Sequence, residues 1–303
     1  MTATELSEHI KCDQRGLTML LNALASLELL EKKGDVYYVY SATPFAAEFL
    51  ARTSSAYLGY IIQHHHHLMA GWAHLDEAVK NGGPISERFS HGDDEVVRES
   101  FEMGMFNLAM QIAPRIVPKI DLTGRRRLLD LGGGPGTYAI HFCRQNPAMT
   151  AVVYDLPTTR RFAEEIITRF GLSERIRFEA GDFDVEEVRG GFDVAWLSHI
   201  LHGEGPEGCR GILKTAAAAL EPGGLILVQE FILDDSLDRP PFPALFSLNM
   251  LIATPTGQAY SQGQLTAMLS AAGVVDIKRI PLELPNGAGV MAGVVQHTEV
   301  KRG

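Results

Sequence analysis

Near the start of the chain, apolar positions recur at helical spacing. Leu17, Leu20, Leu21, Leu24, Leu27 and Leu30 lie three or four residues apart, which predicts an amphipathic helix. Gly34-Asp35 then leads into the β-prone run Val36-Tyr37-Tyr38-Val39-Tyr40, so a short hairpin is expected after the helix. Residues 56–80 and 94–119 carry two further helical patterns, divided by the breaker Asn81-Gly82-Gly83-Pro84. From Arg127 the period changes. Short β-rich runs at 128–131, 151–155, 175–179, 193–198 and 224–231 alternate with helical segments at 137–145, 157–170 and 206–220. Strand and helix in strict alternation predict a mostly parallel sheet covered on both faces, an α/β domain. Another helix is expected after Pro240-Pro241-Phe242-Pro243, and the runs 275–280 and 289–296 read as an antiparallel hairpin closing the sheet. The pattern divides the chain into a mostly helical part, 1–120, and an α/β part, 121–303.

Composition narrows the class. Of 303 residues 46% are hydrophobic and 21% charged, enough apolar material for a core and unlike a disordered chain. No run of about 18 apolar residues is present, so a membrane span is not expected. The polar N-terminal stretch lacks the apolar segment of a secretion signal, and Cys12, Cys143 and Cys209 form no CxxC pair. Both features predict a cytoplasmic protein without a disulfide framework. A helix followed by a hairpin is also a winged-helix pattern, which raises the possibility of a DNA-binding regulator. Charge argues against it: Lys and Arg number 10 against 15 Asp and Glu before Asp121, then 17 against 22, so each part carries −5. Neither has the basic footprint that nucleic acid requires.

The chemistry concentrates after the first strand of the α/β part. Leu128-Leu129-Asp130-Leu131-Gly132-Gly133-Gly134-Pro135-Gly136-Thr137 runs from an apolar strand through glycines into a helix. Glycines let a backbone approach a ligand closely there. The dinucleotide fingerprint G-x-G-x-x-G counted from Gly132 ends on Thr137, so the loop fits NAD poorly. Its D-x-G-x-G-x-G spacing instead resembles the S-adenosylmethionine loop of class I methyltransferases. That resemblance implies a cofactor site including Asp130, Gly132, Gly134 and Gly136. Asp155, ending the next strand ahead of Leu156, is placed to accept both ribose hydroxyls of a nucleoside. Gly181-Asp182-Phe183, after the third strand, offers an acid and a ring to an adenine, although Asp182 is equally readable as a turn residue. With Ser198 ending the fourth strand, these residues lie where open α/β sheets bind ligands.

Leu201-His202, Glu230, Asp155-Leu156-Pro157 and the segment Leu220-Glu221-Pro222-Gly223-Gly224 together resemble the plant-type small-molecule O-methyltransferases, the caffeate and acetylserotonin O-methyltransferase family, over nearly the whole chain. The resemblance implies a Rossmann-like methyltransferase sheet with an antiparallel last strand and an N-terminal winged-helix dimerisation domain. It also implies a homodimer, S-adenosylmethionine as cofactor and a small aromatic acceptor. The N-terminal domain begins later than in relatives, so a reduced dimer interface is expected. In the family motif Leu-His-Asp-Trp the histidine is the general base, which makes His202 the expected base and Glu230 the acid that orients it. A base suits the chemistry: a phenol near ~10 and a histidine near ~6.5 differ by about 5 kcal/mol for full proton transfer. Help of this type, given as the C–O bond forms, is usually worth ~10²–10⁴ in rate.

Two departures keep alternatives open. Gly203-Glu204 replaces the family's Asp-Trp, and Gly257-Gln258-Ala259-Tyr260-Ser261 puts Ala259 where a second acid would hold the histidine. Either Glu230 alone orients His202, or the chain is a relative acting on carbon, or one that decarboxylates or hydroxylates. The family also implies Met105 as an acceptor-pocket residue, where helical spacing alone reads it as core. Asn249, in the otherwise apolar run Leu248-Asn249-Met250-Leu251, is either satisfied locally or aimed at the acceptor hydroxyl. His64, His67 and His74 share one helical face. That face is a solvated or dimer-facing stripe, a pocket wall or a metal site, and no acid or cysteine completes the last, so no metal is expected. His91 and His141 read as surface residues.

Overall fold

The computed structural model describes residues 1–54, 56–85 and 94–296; His91 lies outside them. By contact the chain forms two compact units, Met1–Gln63 and His64–Gly303. The division expected at residue 120 follows the motifs, whereas contact groups the chain from His64 onward with the sheet.

In the first unit α1 (Ala3–Ile10) and α2 (Gln14–Ser26) precede the hairpin of β1 (Leu30–Lys33) and β2 (Val39–Ala42), and α3 (Pro44–Phe49) follows. A capping box starts α1: the Thr2 hydroxyl accepts from Glu5 N–H and the Glu5 carboxylate accepts from Thr2 N–H. Leu17, Leu21 and Tyr40 form the small core, with Leu30 packed on it. The leucine repeat overshoots the helix. Leu27 is its exposed C-cap, and Leu30 belongs to the first strand, paired with Ala42.

The second pattern, 56–80, is two helices, α4 (Gly59–Trp72) and α5 (Leu75–Asn81), and α6 (Glu95–Ile116) completes the helical run. Asp94 caps α6, its carboxylate accepting from Val96 and Val97 N–H. Then β3 (Arg127–Leu131), α7 (Thr137–Gln145), β4 (Thr150–Asp155), α8 (Arg160–Arg169), β5 (Ile176–Ala180), β6 (Phe192–Ser198), α9 (Pro206–Ala219) and β7 (Leu220–Leu233) alternate as expected. Beyond them come α10 (Pro241–Ala253), β8 (Tyr260–Ser261), α11 (Gln262–Ala271), β9 (Val274–Arg279) and β10 (Ala288–Val295). The sequence reading missed α11.

The sheet runs β5-β4-β3-β6-β7-β10-β9, parallel from β5 to β7, with β10 antiparallel to both β7 and β9. Strand order therefore reverses on either side of β3, the place where such sheets open a crevice at their C-terminal ends. Leu131 pairs with Tyr154 on one side and Leu197 on the other, so the turns after β3, β4 and β6 emerge level. Leu128 and Trp196 enter the core beneath α7, and Leu129 and Leu131 enter the core beneath α9 and α11. No described helix is long and apolar enough to cross a membrane.

Candidate active site

The turn after β3 is built from left-handed glycines. Gly132, Gly134 and Gly136 have φ of 65°, 54° and 76°, a region where other residues are strained. A Cβ on Gly132 would stand 2.6 Å from Ile200 Cγ2 and 3.4 Å from the Phe183 ring, so the loop, Ile200 and Phe183 converge. Gly134 N–H donates to Asp155 Oδ2 at 2.7 Å and Leu156 N–H to Oδ1 at 2.7 Å, tying the glycine turn to the end of β4.

Other expected residues are placed differently. Asp130 is fully buried beneath the loop, where its Oδ2 accepts from Ala139 N–H at the start of α7. It holds the turn from below and presents no surface to a ligand. Gly136 is likewise buried, and a Cβ there would lie 3.1 Å from Val153, so it serves the packing of α7 on β4. Asp182 acts as a turn residue, its Oδ1 accepting from Asp184 N–H. Ser198 donates its hydroxyl to Gln229 Oε1 at 3.2 Å. The Asn249 carboxamide oxygen accepts from Trp72 Nε1 at 3.1 Å, so it is satisfied within the protein. Met105 is half-buried, whereas Met103 and Met110 are the methionines of α6 packed on the core.

Sequence reasoning missed Glu102. It is buried on α6, its Oε1 accepting from the Thr159 hydroxyl at 3.0 Å, and its Oε2 lies 3.6 Å from where a Gly134 Cβ would be. Burial pushes its carboxyl up to about 8, and the charge of Asp155 adds to the push. Asp130 is pushed up to about 7, again by burial first, and its Oδ1 is buried without a hydrogen-bond partner. Burial presses Glu102 and Asp130 toward their neutral forms, so Asp155, whose oxygens accept from Gly134 and Leu156 N–H, is the acid this turn presents.

The second half of the site lies beyond β6. The chain turns at His199, which has φ of 56°, and a single 3-10 turn, Leu201–Gly203, follows. His202 Nδ1 meets Glu230 Oε2 at 2.8 Å. Glu230 is buried in mid-β7, and its Oε1 accepts from Leu201 and His202 N–H at 2.9 and 3.2 Å. Burial alone would raise this carboxyl; the imidazoles of His202 and His199 overcome it and hold it well below the ordinary carboxylate range. Ala259, at the position of the family's second acid, is buried and donates its N–H to the Ser247 hydroxyl. Aromatic rings surround the imidazole: Phe246 packs edge-on to His202 at 4.8 Å, and Phe231 contacts both Phe242 and Phe246 at 4.9 and 4.8 Å.

The histidine stripe packs on α6 instead of facing solvent. His64 is buried against the edge of Phe101, and burial drives it down to about 4. His67 Nδ1 lies 3.0 Å from the Ser100 hydroxyl. His74 leaves the face because α4 ends at Trp72, and it pairs with Glu77. His141 is half-buried, not a surface residue.

Residues 72–275 match the O-methyltransferase domain family and residues 1–52 the O-methyltransferase dimerisation domain. The chain is 33% identical over 300 residues to a 3-hydroxy-5-methyl-1-naphthoate 3-O-methyltransferase of Streptomyces sahachiroi, covering 96% of this chain and 85% of that one. It is 31% identical to the acetylserotonin O-methyltransferase of Bos taurus, covering 92% and 83%. An O-methyltransferase family protein of Burkholderia thailandensis superposes with a TM-score of 0.84 at 26% identity, over 99% of this chain and 89% of that one. Glycine turn, buried His–Glu pair and matched domains agree, and the chain belongs to the S-adenosylmethionine-dependent O-methyltransferase family.

Proposed function

We propose that this enzyme methylates a ring hydroxyl of a small aromatic acceptor, with His202 as general base and Glu230 as the acid that orients it. The pairing of His202 Nδ1 with buried Glu230 carries the reading. A carboxylate that only accepts fixes the proton on Nδ1, leaving Nε2 as the atom that takes the hydroxyl proton. Glu230 then stabilises the imidazolium formed as the acceptor oxygen attacks. When bound, the cofactor would supply an electrophilic methyl on a sulfonium.

Glu102, Asp155 and the backbone of Gly132 and Gly134 would hold that cofactor, with Phe183 and Ile200 against the turn and Leu156 and Ser198 at neighbouring strand ends. Phe231, Phe242 and Phe246 offer an apolar, ring-lined wall beside His202 that suits a flat acceptor. Met105 and the carboxamide nitrogen of Asn249 are the remaining acceptor-facing residues of this reading. The hydroxynaphthoate named for the Streptomyces sahachiroi relative is a fitting first acceptor to assay. Exposed Met19, Leu20, Leu27, Val36 and Tyr37 on the first unit, within the matched dimerisation domain, support a homodimer.

His202→Ala should lower kcat by about 10²–10⁴ while calorimetric affinity for S-adenosylmethionine stays within about twofold. A variant retaining kcat within tenfold of the parent would remove the base from the mechanism.

A further inference from the structure

Glu230 serves two imidazoles, and only one of them is the base. His199 Nδ1 stands 3.5 Å from the same Oε2 that accepts from His202 Nδ1. Its other nitrogen, Nε2, lies 3.2 Å from Gln229 Nε2. The Ser198 hydroxyl occupies Gln229 Oε1, so the carboxamide nitrogen faces His199, and a carboxamide nitrogen can only donate. His199 Nε2 therefore accepts, and its proton sits on Nδ1, directed at Glu230. The backbone at His199 is left-handed, a conformation that costs a residue with a Cβ, and His199 N–H continues the sheet ladder to Gln229 O at 2.9 Å. Phe231 packs tilted against the ring, at 4.4 Å and 42°. The chain is thus bent and packed to bring a second imidazole beside the carboxylate that pairs with His202.

Resting on the proposed role of His202, we infer that His199 is a positioning residue for the His202–Glu230 pair. Its Nδ1, at ion-pair distance from Glu230 Oε2 and outside hydrogen-bond geometry, steadies the carboxylate beside His202 and competes for its charge. The other polar groups around Glu230 are Leu201, His202 and Phe231 N–H, with Cys209 on α9 and Tyr260 on β8 nearby. His199, His202 and Glu230 also lie close enough to ligate a cation, with ligand atoms within 4.8 Å of one another. The carboxylate is already filled by N–H donors, which favours the proton reading.

The sign follows from the geometry. Removing the His199 donor leaves more carboxylate charge for the His202 imidazolium, so the acidic limb of the kcat–pH profile moves to higher pH. His199→Phe keeps a ring against Phe231 and loses both nitrogens; its acidic limb should move up by about half to one pH unit, with kcat near neutrality down about tenfold and KM little changed. His199→Asn tolerates the left-handed backbone and supplies both a donor and an acceptor, and should restore the limb and kcat to within about threefold. Nitrogen NMR of the unsubstituted enzyme should show His199 as the Nδ1–H tautomer, a readout independent of turnover and of how either variant folds. An Nε2–H tautomer, an unmoved limb in His199→Phe, or equal impairment of both variants without a pH shift would overturn the inference. So would activity lost to a chelator and restored by a divalent cation. Failure of His202→Ala to lose activity would instead strike at the base itself.

Discussion

Glu102, Asp130 and Asp155 gather at one glycine turn, and each carboxyl has a different task. Asp155 ties β4 to the loop, Asp130 holds the start of α7, and Glu102 brings an acid from α6 to the rim. Glu102 has a direct consequence for stability. An ordinary glutamate titrates near 4.5, and burial moves this one to about 8, so the fold keeps a proton that the unfolded chain has lost. The stability linked to it is full below about 4.5 and drains away as pH rises through about 8. Glu102→Gln removes that dependence, so its melting temperature should gain several degrees on the parent at pH 9 and little at pH 5, by calorimetric scans of the cofactor-free protein. Asp155 was legible in the sequence because an acid ending a strand has one obvious direction to face. Glu102 was not, since a glutamate on a helix reads as solvent-facing until tertiary neighbours bury it. The period of β3 could have corrected Asp130: Leu129 and Leu131 take one face, so Asp130 must share the face of Leu128 under α7.

At the level of elements, the loop after β3 depends on what its glycines lack. Gly132→Ala combines a left-handed φ with a Cβ 2.6 Å from Ile200 Cγ2. It should weaken S-adenosylmethionine binding about 10–100-fold by calorimetry, and an unchanged affinity would remove the loop from the cofactor site. The alternating half of the chain was read to within a few residues, β7 beginning four earlier than expected, because its period is regular and its glycines punctuate it. Elsewhere local signals competed. Leu30 continued a leucine repeat yet pairs in a strand, because the turn at Glu28, with φ of 58°, ends the helix first. Helix α11 carried a readable start, the Ser261–Gln264 capping box, but the glycines around it masked the pattern. His199 gave no sequence signal at all; the backbone bend that brings it beside Glu230 exists only in the fold.

For the molecule as a whole, the apolar surface of the first unit sets an expectation about assembly. Leu20, Leu27 and Tyr37 are exposed by 55%, 67% and 83%, more large apolar surface than a small unit keeps without covering it. Leu20→Asp combined with Tyr37→Asp should halve the mass measured by light scattering while leaving the thermal transition of the second unit in place. Glu230 has a different kind of support. Its strand is bonded to β6 on one side and β10 on the other, with Gln229 opposite Ser198 and Glu230 opposite Gly289. A carboxylate anchored in the interior of a sheet cannot swing to meet an ill-placed hydroxyl. On the proposed chemistry, changes of acceptor fall to the ring-bearing helix after Pro240, while the carboxylate beside His202 keeps its place as a fixed tool.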